Sequence, residues 1–240
     1  MELIGGIGPV EQSETVAVSD LQVRYGSLLA LSIKSLMIHA SSGVIGLFGP
    51  NGAGKSTFLR TVSGDIGRFA GRISKPPRHR VAYLPDEPFL YRWMKVAQCA
   101  QLFASRHDDF RPAVFERFLE GSKITANKRV SSLSKGMSER LHLALIMSRT
   151  PDLYVLDEPL GGVDPVVRDH LLDLIRDLRS ENVPLLLSTH LINGVDKIFD
   201  NIILISDGFL LTHDSAENLR RLGDGDLELA YKRSVMMSHE

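Results

Sequence analysis

Lys55 and Ser56 are the residues with the clearest chemical potential. They close the run Gly49-Pro-Asn-Gly-Ala-Gly-Lys-Ser-Thr57, which fits the phosphate-cradling pattern G-x-x-x-x-G-K-[ST]. Gly49, Gly52 and Gly54, with Asn51 among them, let the backbone wrap a polyphosphate with several N–H groups turned inward. A helix from Lys55 to about Val62 adds the positive end of its dipole. Lys55 can reach the β- and γ-phosphates, the Ser56 hydroxyl can bind Mg²⁺, and Thr57 completes the loop. The alternative is a glycine-rich turn that matches by chance. The flanking apolar run Val44-Ile-Gly-Leu-Phe48 argues against it. The motif alone leaves kinase, GTPase, recombinase and transporter open.

A second group of residues can do hydrolytic chemistry. Leu153-Tyr-Val-Leu-Asp-Glu158 is an apolar run ending in two carboxylates. Asp157 can hold Mg²⁺ directly or through water. Glu158, expected on the opposite side of an extended chain, can polarise an attacking water as general base. Two solvated carboxylates at a strand end are the plain alternative. The buried character of the run and the following Pro159 weigh against it. His190 ends another apolar run, Leu185-Leu-Leu-Ser-Thr-His190.

These residues need a frame. Val44–Phe48, Val81–Leu84, Leu153–Leu156, Leu185–Ser188 and Ile202–Ile205 are continuously apolar. That pattern predicts a parallel sheet covered on both faces, with ligands at its strand ends. Val16–Arg24 is more mixed and predicts an antiparallel edge sheet. Ile202–Thr212 reads as a hairpin turning at Asp207-Gly208. Asp164 and Pro165 open a helix as N-cap and first residue. Helical spacing also runs from Phe89 to about Val130, through Val96, Cys99, Ala100 and Phe103, then Phe115, Phe118 and Leu119.

The ordered set resembles the ATP-binding cassette ATPases. It comprises Tyr25-Gly-Ser-Leu-Leu-Ala-Leu31, the phosphate loop, Leu133-Ser-Lys-Gly-Met137, Asp157-Glu158, Gly161-Gly-Val-Asp-Pro165 and His190. The resemblance spans roughly residues 16–222. It implies an α/β fold: a P-loop NTPase with a RecA-like parallel core, an antiparallel β subdomain and an inserted helical subdomain at about 89–135. Residues 1–15 are then an N-terminal extension and 223–240 a C-terminal tail, both expected to be loosely ordered.

The resemblance also implies roles. Tyr25 stacks on adenine, with a core tyrosine as the alternative. His190 contacts the γ-phosphate. Asp86 in Tyr83-Leu-Pro-Asp86 stands where the family usually has glutamine, as a metal or water ligand. Ser134 and Gly136 cap the ATP of a second, head-to-tail cassette, and Asp164 lies in the loop that crosses between subunits. Lys135 and Met137 depart from the usual L-S-G-G-Q. These departures and Asp86 resemble a branch of bacterial exporters of drugs, peptides or antibiotics.

Composition narrows the partners. The 240 residues carry a net charge of −1, which gives no global footprint for nucleic acid. Arg68, Arg72, Lys75, Arg78 and Arg80 form a local cluster read as a solvated loop. The single Cys99 suits a reducing compartment and a small buried role. No apolar run approaches the ~20 residues needed to span a bilayer, and the N-terminus lacks a basic n-region. The expectation is therefore a cytoplasmic subunit, peripheral on the inner face of the membrane, with ATP and Mg²⁺ as cofactors. It would drive a separate permease and dimerise with itself or a paralogue. Phe89-Leu-Tyr-Arg-Trp-Met94 is the candidate permease contact. The rival readings are a soluble cassette acting on ribosomes or DNA and a weakly hydrolysing regulatory subunit. Lys55 to Ser134 leaves no room for the long coiled coil of the DNA-repair type.

Overall fold

The computed structural model describes residues 14–190 and 196–238. Its strands form one nine-stranded sheet in the order β4-β1-β2-β9-β8-β3-β7-β6-β5. The parallel half contains β3 (Val44–Phe48), β5 (Val81–Leu84), β6 (Leu153–Asp157), β7 (Leu185–Ser188) and β8 (Asn201–Ser206). Its strands read as unbroken apolar runs because both faces are covered. In β3, Val44 and Phe48 join one core while Ile45 and Leu47 join the other. In β6, Tyr154 and Leu156 divide from Leu153 and Val155 in the same way.

The antiparallel half contains β1 (Glu14–Tyr25), β2 (Leu28–His39) and the edge strand β4 (Ala70–Ser74). It is joined to the rest through β9 (Phe209–Ser215), which pairs antiparallel with β8 and parallel with β2. Asp207 and Gly208 both take positive φ at the β8–β9 turn, where short polar residues and glycine tolerate that conformation.

Helix α1 (Lys55–Ser63) packs Phe58, Leu59 and Val62 onto the sheet. Between β5 and β6 come α2 (Val96–Arg106), α3 (Pro112–Leu119) and α4 (Lys135–Met147). Cys99 and Phe118 are fully buried there, and burial pushes the Cys99 thiol up to about 11. Buried Arg149 ties this helical segment to the sheet. Its guanidinium pairs with Asp109 and donates to the carbonyls of Val81 and His79. Helix α5 (Pro165–Leu178) starts as its sequence requires, with Asp164 accepting from the Val166 N–H at 3.0 Å.

Two expectations need correction. The basic cluster is only partly a loop: Arg68 and Lys75 lie in loop segments. Arg72 lies in β4, residues 78–80 form a short 3₁₀ turn, and Arg78 and Arg80 pair with Asp65 and Asp152. Nor is the tail loose after Gly223. Following α6 (Ala216–Leu222), a further helix α7 (Leu227–Ser238) buries Leu227 and Ala230 against the core. The proposed extension falls almost wholly outside the described residues.

Candidate active site

Four neighbouring parallel strands deliver the site. The C-terminal ends of β3, β7, β6 and β5 lie side by side. They carry the glycine loop, His190, the two carboxylates and Asp86 respectively. Open parallel sheets bind ligands at this edge.

The glycine loop is already folded as a cradle. Ala53 donates to the Pro50 carbonyl at 3.1 Å, and Gly208 donates to the Ala53 carbonyl at 3.0 Å. A β-carbon on Gly49 would stand 2.2 Å from the Ile205 carbonyl oxygen, so that position needs glycine. Gly54, at φ +102°, turns the chain into α1. The Lys55 side chain is folded back, with Nζ donating to the carbonyls of Gly49 at 2.9 Å and Pro50 at 3.2 Å. Asn51, Gly52 and Ser56 are exposed and Thr57 is half-buried.

Asp157 ends β6 and is only 2 % exposed. Ser188 Oγ, at the end of β7, donates to Asp157 Oδ1 at 2.6 Å and accepts from the Glu158 N–H at 3.0 Å. One hydroxyl thus fixes the Asp157 carboxylate and the Glu158 backbone. In the sequence Ser188 is simply the last residue of an apolar run. Its signal was the polar residue ending Leu185-Leu-Leu.

Glu158 departs from the extended geometry expected for it. Its φ is +47°, a left-handed turn closed by Gly161 N–H donating to the Glu158 carbonyl at 3.1 Å. The turn points the chain away from the strand. His190 Nδ1 lies 2.9 Å from Glu158 Oε2.

Asp86 is exposed after β5. With Asp157, Glu158, Lys135 and Glu139 it lines a cavity of about 300 Å³. Burial raises the Glu139 carboxyl, and Lys135 opposes that shift. Burial also lowers His142 on the same wall. Tyr25 is half-exposed where β1 turns into β2. The start of β2 abuts the loop, because a β-carbon on Gly54 would meet the Ala30 carbonyl oxygen at 2.8 Å.

Ser134 and Gly136 do not line this cavity. Ser134 caps α4, accepting from the Met137 N–H at 3.4 Å. Gly136 has open space at its α-carbon.

The donor set suits a hard divalent cation. Asp157, Asp86 and Ser56 all offer oxygen, and Mg²⁺ takes one or two carboxylates together with waters and substrate phosphates. Among the described residues no group of three or more His, Cys, Asp or Glu is arranged to hold a metal by itself. Such a cage is not what Mg²⁺ at a nucleotide requires.

A strand–glycine loop–helix unit beside strand-end carboxylates defines a P-loop nucleoside triphosphatase. Comparison with known proteins narrows this class. Residues 34–161 match the family model described as ABC transporter. An uncharacterized ABC transporter ATP-binding protein of Methanocaldococcus jannaschii is 27% identical, over 94% of this chain and 90% of its own length. The lantibiotic transport ATP-binding protein SrtF of Streptococcus pyogenes is 26% identical, over 90% and 99%. The molybdenum import ATP-binding protein ModC of Brucella abortus is 31% identical, over 79% and 58%. The solved structure of an ATP-binding subunit of an ABC transporter superposes with a TM-score of 0.79 at 24% identity, over 92% of this chain and 99% of that one. The chain belongs to the ABC transporter ATP-binding family, whose members hydrolyse ATP to drive transport.

Proposed function

We propose that this chain binds ATP with Mg²⁺ and powers a separate membrane permease, as an exporter, through ATP-dependent pairing of two cassettes. The observation that carries this reading is the convergence of Lys55, Asp86, Asp157, Glu158 and His190 at adjacent strand ends. Lys55 would exchange its two loop carbonyls for the β- and γ-phosphates. Asp157 and Ser56 would hold Mg²⁺, with Asp86 as a further oxygen ligand; the ion supplies charge neutralisation at the phosphates. Glu158 would take the proton of the attacking water, and His190 would orient Glu158 and face the γ-phosphate. Tyr25 would stack on the base. Ser134 and Gly136, which do not line their own cavity, would cap the nucleotide of the second cassette.

Subunits of this family work with transmembrane components and dimerise. Among the described residues no helix is long and apolar enough to cross a membrane, so a permease would supply the pathway and hold the subunit at the inner face. Similarity extends to both lantibiotic transport and molybdenum import proteins. Export therefore rests on Lys135, Met137 and Asp86, which resemble the exporter branch.

The permease contact we favour is Tyr91 and Trp93. Their rings stack with centroids 6.0 Å apart, and each residue is 65% exposed. Phe89, by contrast, packs on Phe103 and His142. It also borders a cleft of about 700 Å³ lined by Arg78, His79 and Tyr83.

Two measurements test the proposal. Equilibrium ATP binding should be lost in Lys55→Ala; unchanged affinity would remove Lys55 from the site. Detergent purification from the native host should bring down a multi-span permease. Ribosomes or DNA in its place would favour a soluble cassette.

A further inference from the structure

We propose that Lys135 is a positioning residue that links the start of α4 to the turn carrying Glu158 within one chain. The inference rests on the ATPase reading above and adds a route by which α4 acts on the general base. Lys135 Nζ, Cε and Cδ lie 2.6, 2.9 and 3.3 Å from where a β-carbon on Gly162 would stand. The side chain therefore lies directly over Gly162, whose φ is +90°. Gly162 belongs to the segment that turns at Glu158. The ammonium stands 3.7 Å from Glu139 Oε1, and Glu139 Oε2 is buried with no hydrogen-bond partner.

Helix stability does not account for this lysine. It is the first residue of α4, where the positive end of the helix dipole disfavours a cation. Lysine before glutamate at i,i+4 is also the weaker order for a helical ion pair. Most of its side chain is exposed, so the pair adds little to folding. Charge and reach do account for it. Asp86, Glu87, Glu139, Asp157 and Glu158 all line the cavity, and Lys135 is the only lysine or arginine among its lining residues. Its side chain lies over Gly162 while its ammonium offsets the Glu139 carboxylate on the same wall. Glycine, the family's usual residue here, has neither the stem nor the charge. A shift at the start of α4 is thus transmitted to Glu158 through Lys135 and Gly162.

The test is a double-mutant cycle in the full chain, read as kcat, ATP affinity and melting temperature. Lys135→Met should lower kcat by about threefold or more with ATP affinity and melting temperature held, and Lys135→Arg should keep most of the rate. Gly162→Ala puts a methyl carbon 2.6 Å from the ammonium nitrogen, so the lysine must move. It should slow wild type more than it slows the Lys135→Met protein, by a coupling of about threefold or more. Additive effects, or a wild-type kcat in Lys135→Met, would overturn the proposal. If Gly162→Ala does not fold, the Met and Arg variants decide the matter. Should wild type itself not hydrolyse Mg²⁺-ATP, the ATPase reading fails separately. The cycle is then read in melting temperature, where additivity overturns the contact.

Discussion

His190 Nδ1–H donates to Glu158 Oε2 across 2.9 Å, joining the end of the β7 segment to the turn after β6. The bond gives the histidine a job before any phosphate arrives. It holds the carboxylate that would accept a proton. His190→Ala should therefore lower kcat by about 10²-fold, the cost of misplacing a reacting group by ~1 Å, while ATP binding changes far less. Glu158→Gln should slow turnover by about 10²–10⁴, the range for a general base, and accumulate an ATP-bound dimer on sizing with Mg²⁺. Wild-type turnover in either variant would remove that residue from the mechanism.

Ser188→Ala is expected to cost both stability and rate. Asp157 is buried and accepts from the Ser188 hydroxyl, and a buried group stripped of its partner costs about 1–3 kcal/mol. Denaturant unfolding measures the stability loss, and steady-state hydrolysis measures the effect on Glu158, whose N–H loses its acceptor. An unfolding midpoint equal to wild type would show that the hydroxyl is dispensable.

Tyr91→Ala and Trp93→Ala should leave folding and basal hydrolysis intact, because both rings are largely exposed. Stimulation by the permease, or retention on it in detergent, should fall sharply. A lowered melting temperature with unchanged permease binding would assign that ring to the packing of the helical segment.

Acid should destabilise the fold through buried His142 and part-buried His107 and His213. His107, His142 and His213 are each lowered from 6.5, chiefly by burial. The unfolded chain then binds protons first as pH falls. The stability they contribute is complete above 6.5 and is lost as pH drops through their folded values. Melting temperatures between about pH 7.5 and 5.5 should decline, and His142→Gln should flatten that decline. An identical slope in the variant would exclude His142 as a contributor.

The parallel half of the sheet was legible because strands covered on both faces must be apolar throughout, as in Leu153–Leu156 and Leu185–Leu187. β4 was not. It is an exposed edge strand carrying Arg72, and its composition resembles a loop. The α7 helix was hidden for a related reason, since only a few positions such as Leu227 and Ala230 are buried. Within the site, residue types named Lys55, Asp157 and Glu158. They could not show the left-handed turn at Glu158 or the Ser188 bridge, because both depend on two strands meeting in space.

The left-handed backbone at Glu158 carries an evolutionary consequence. A side chain such as glutamate at φ +47° is held there at a cost of about 1–3 kcal/mol. Asparagine accepts that conformation more readily, so Glu158→Asn would relax the chain while removing the proposed base. Loss of catalysis is then downhill in folding energy at this position. On the proposed reading, one copy in a pair of cassettes would drift into a nucleotide holder at no cost to its fold here, and selection on turnover would keep the glutamate in place.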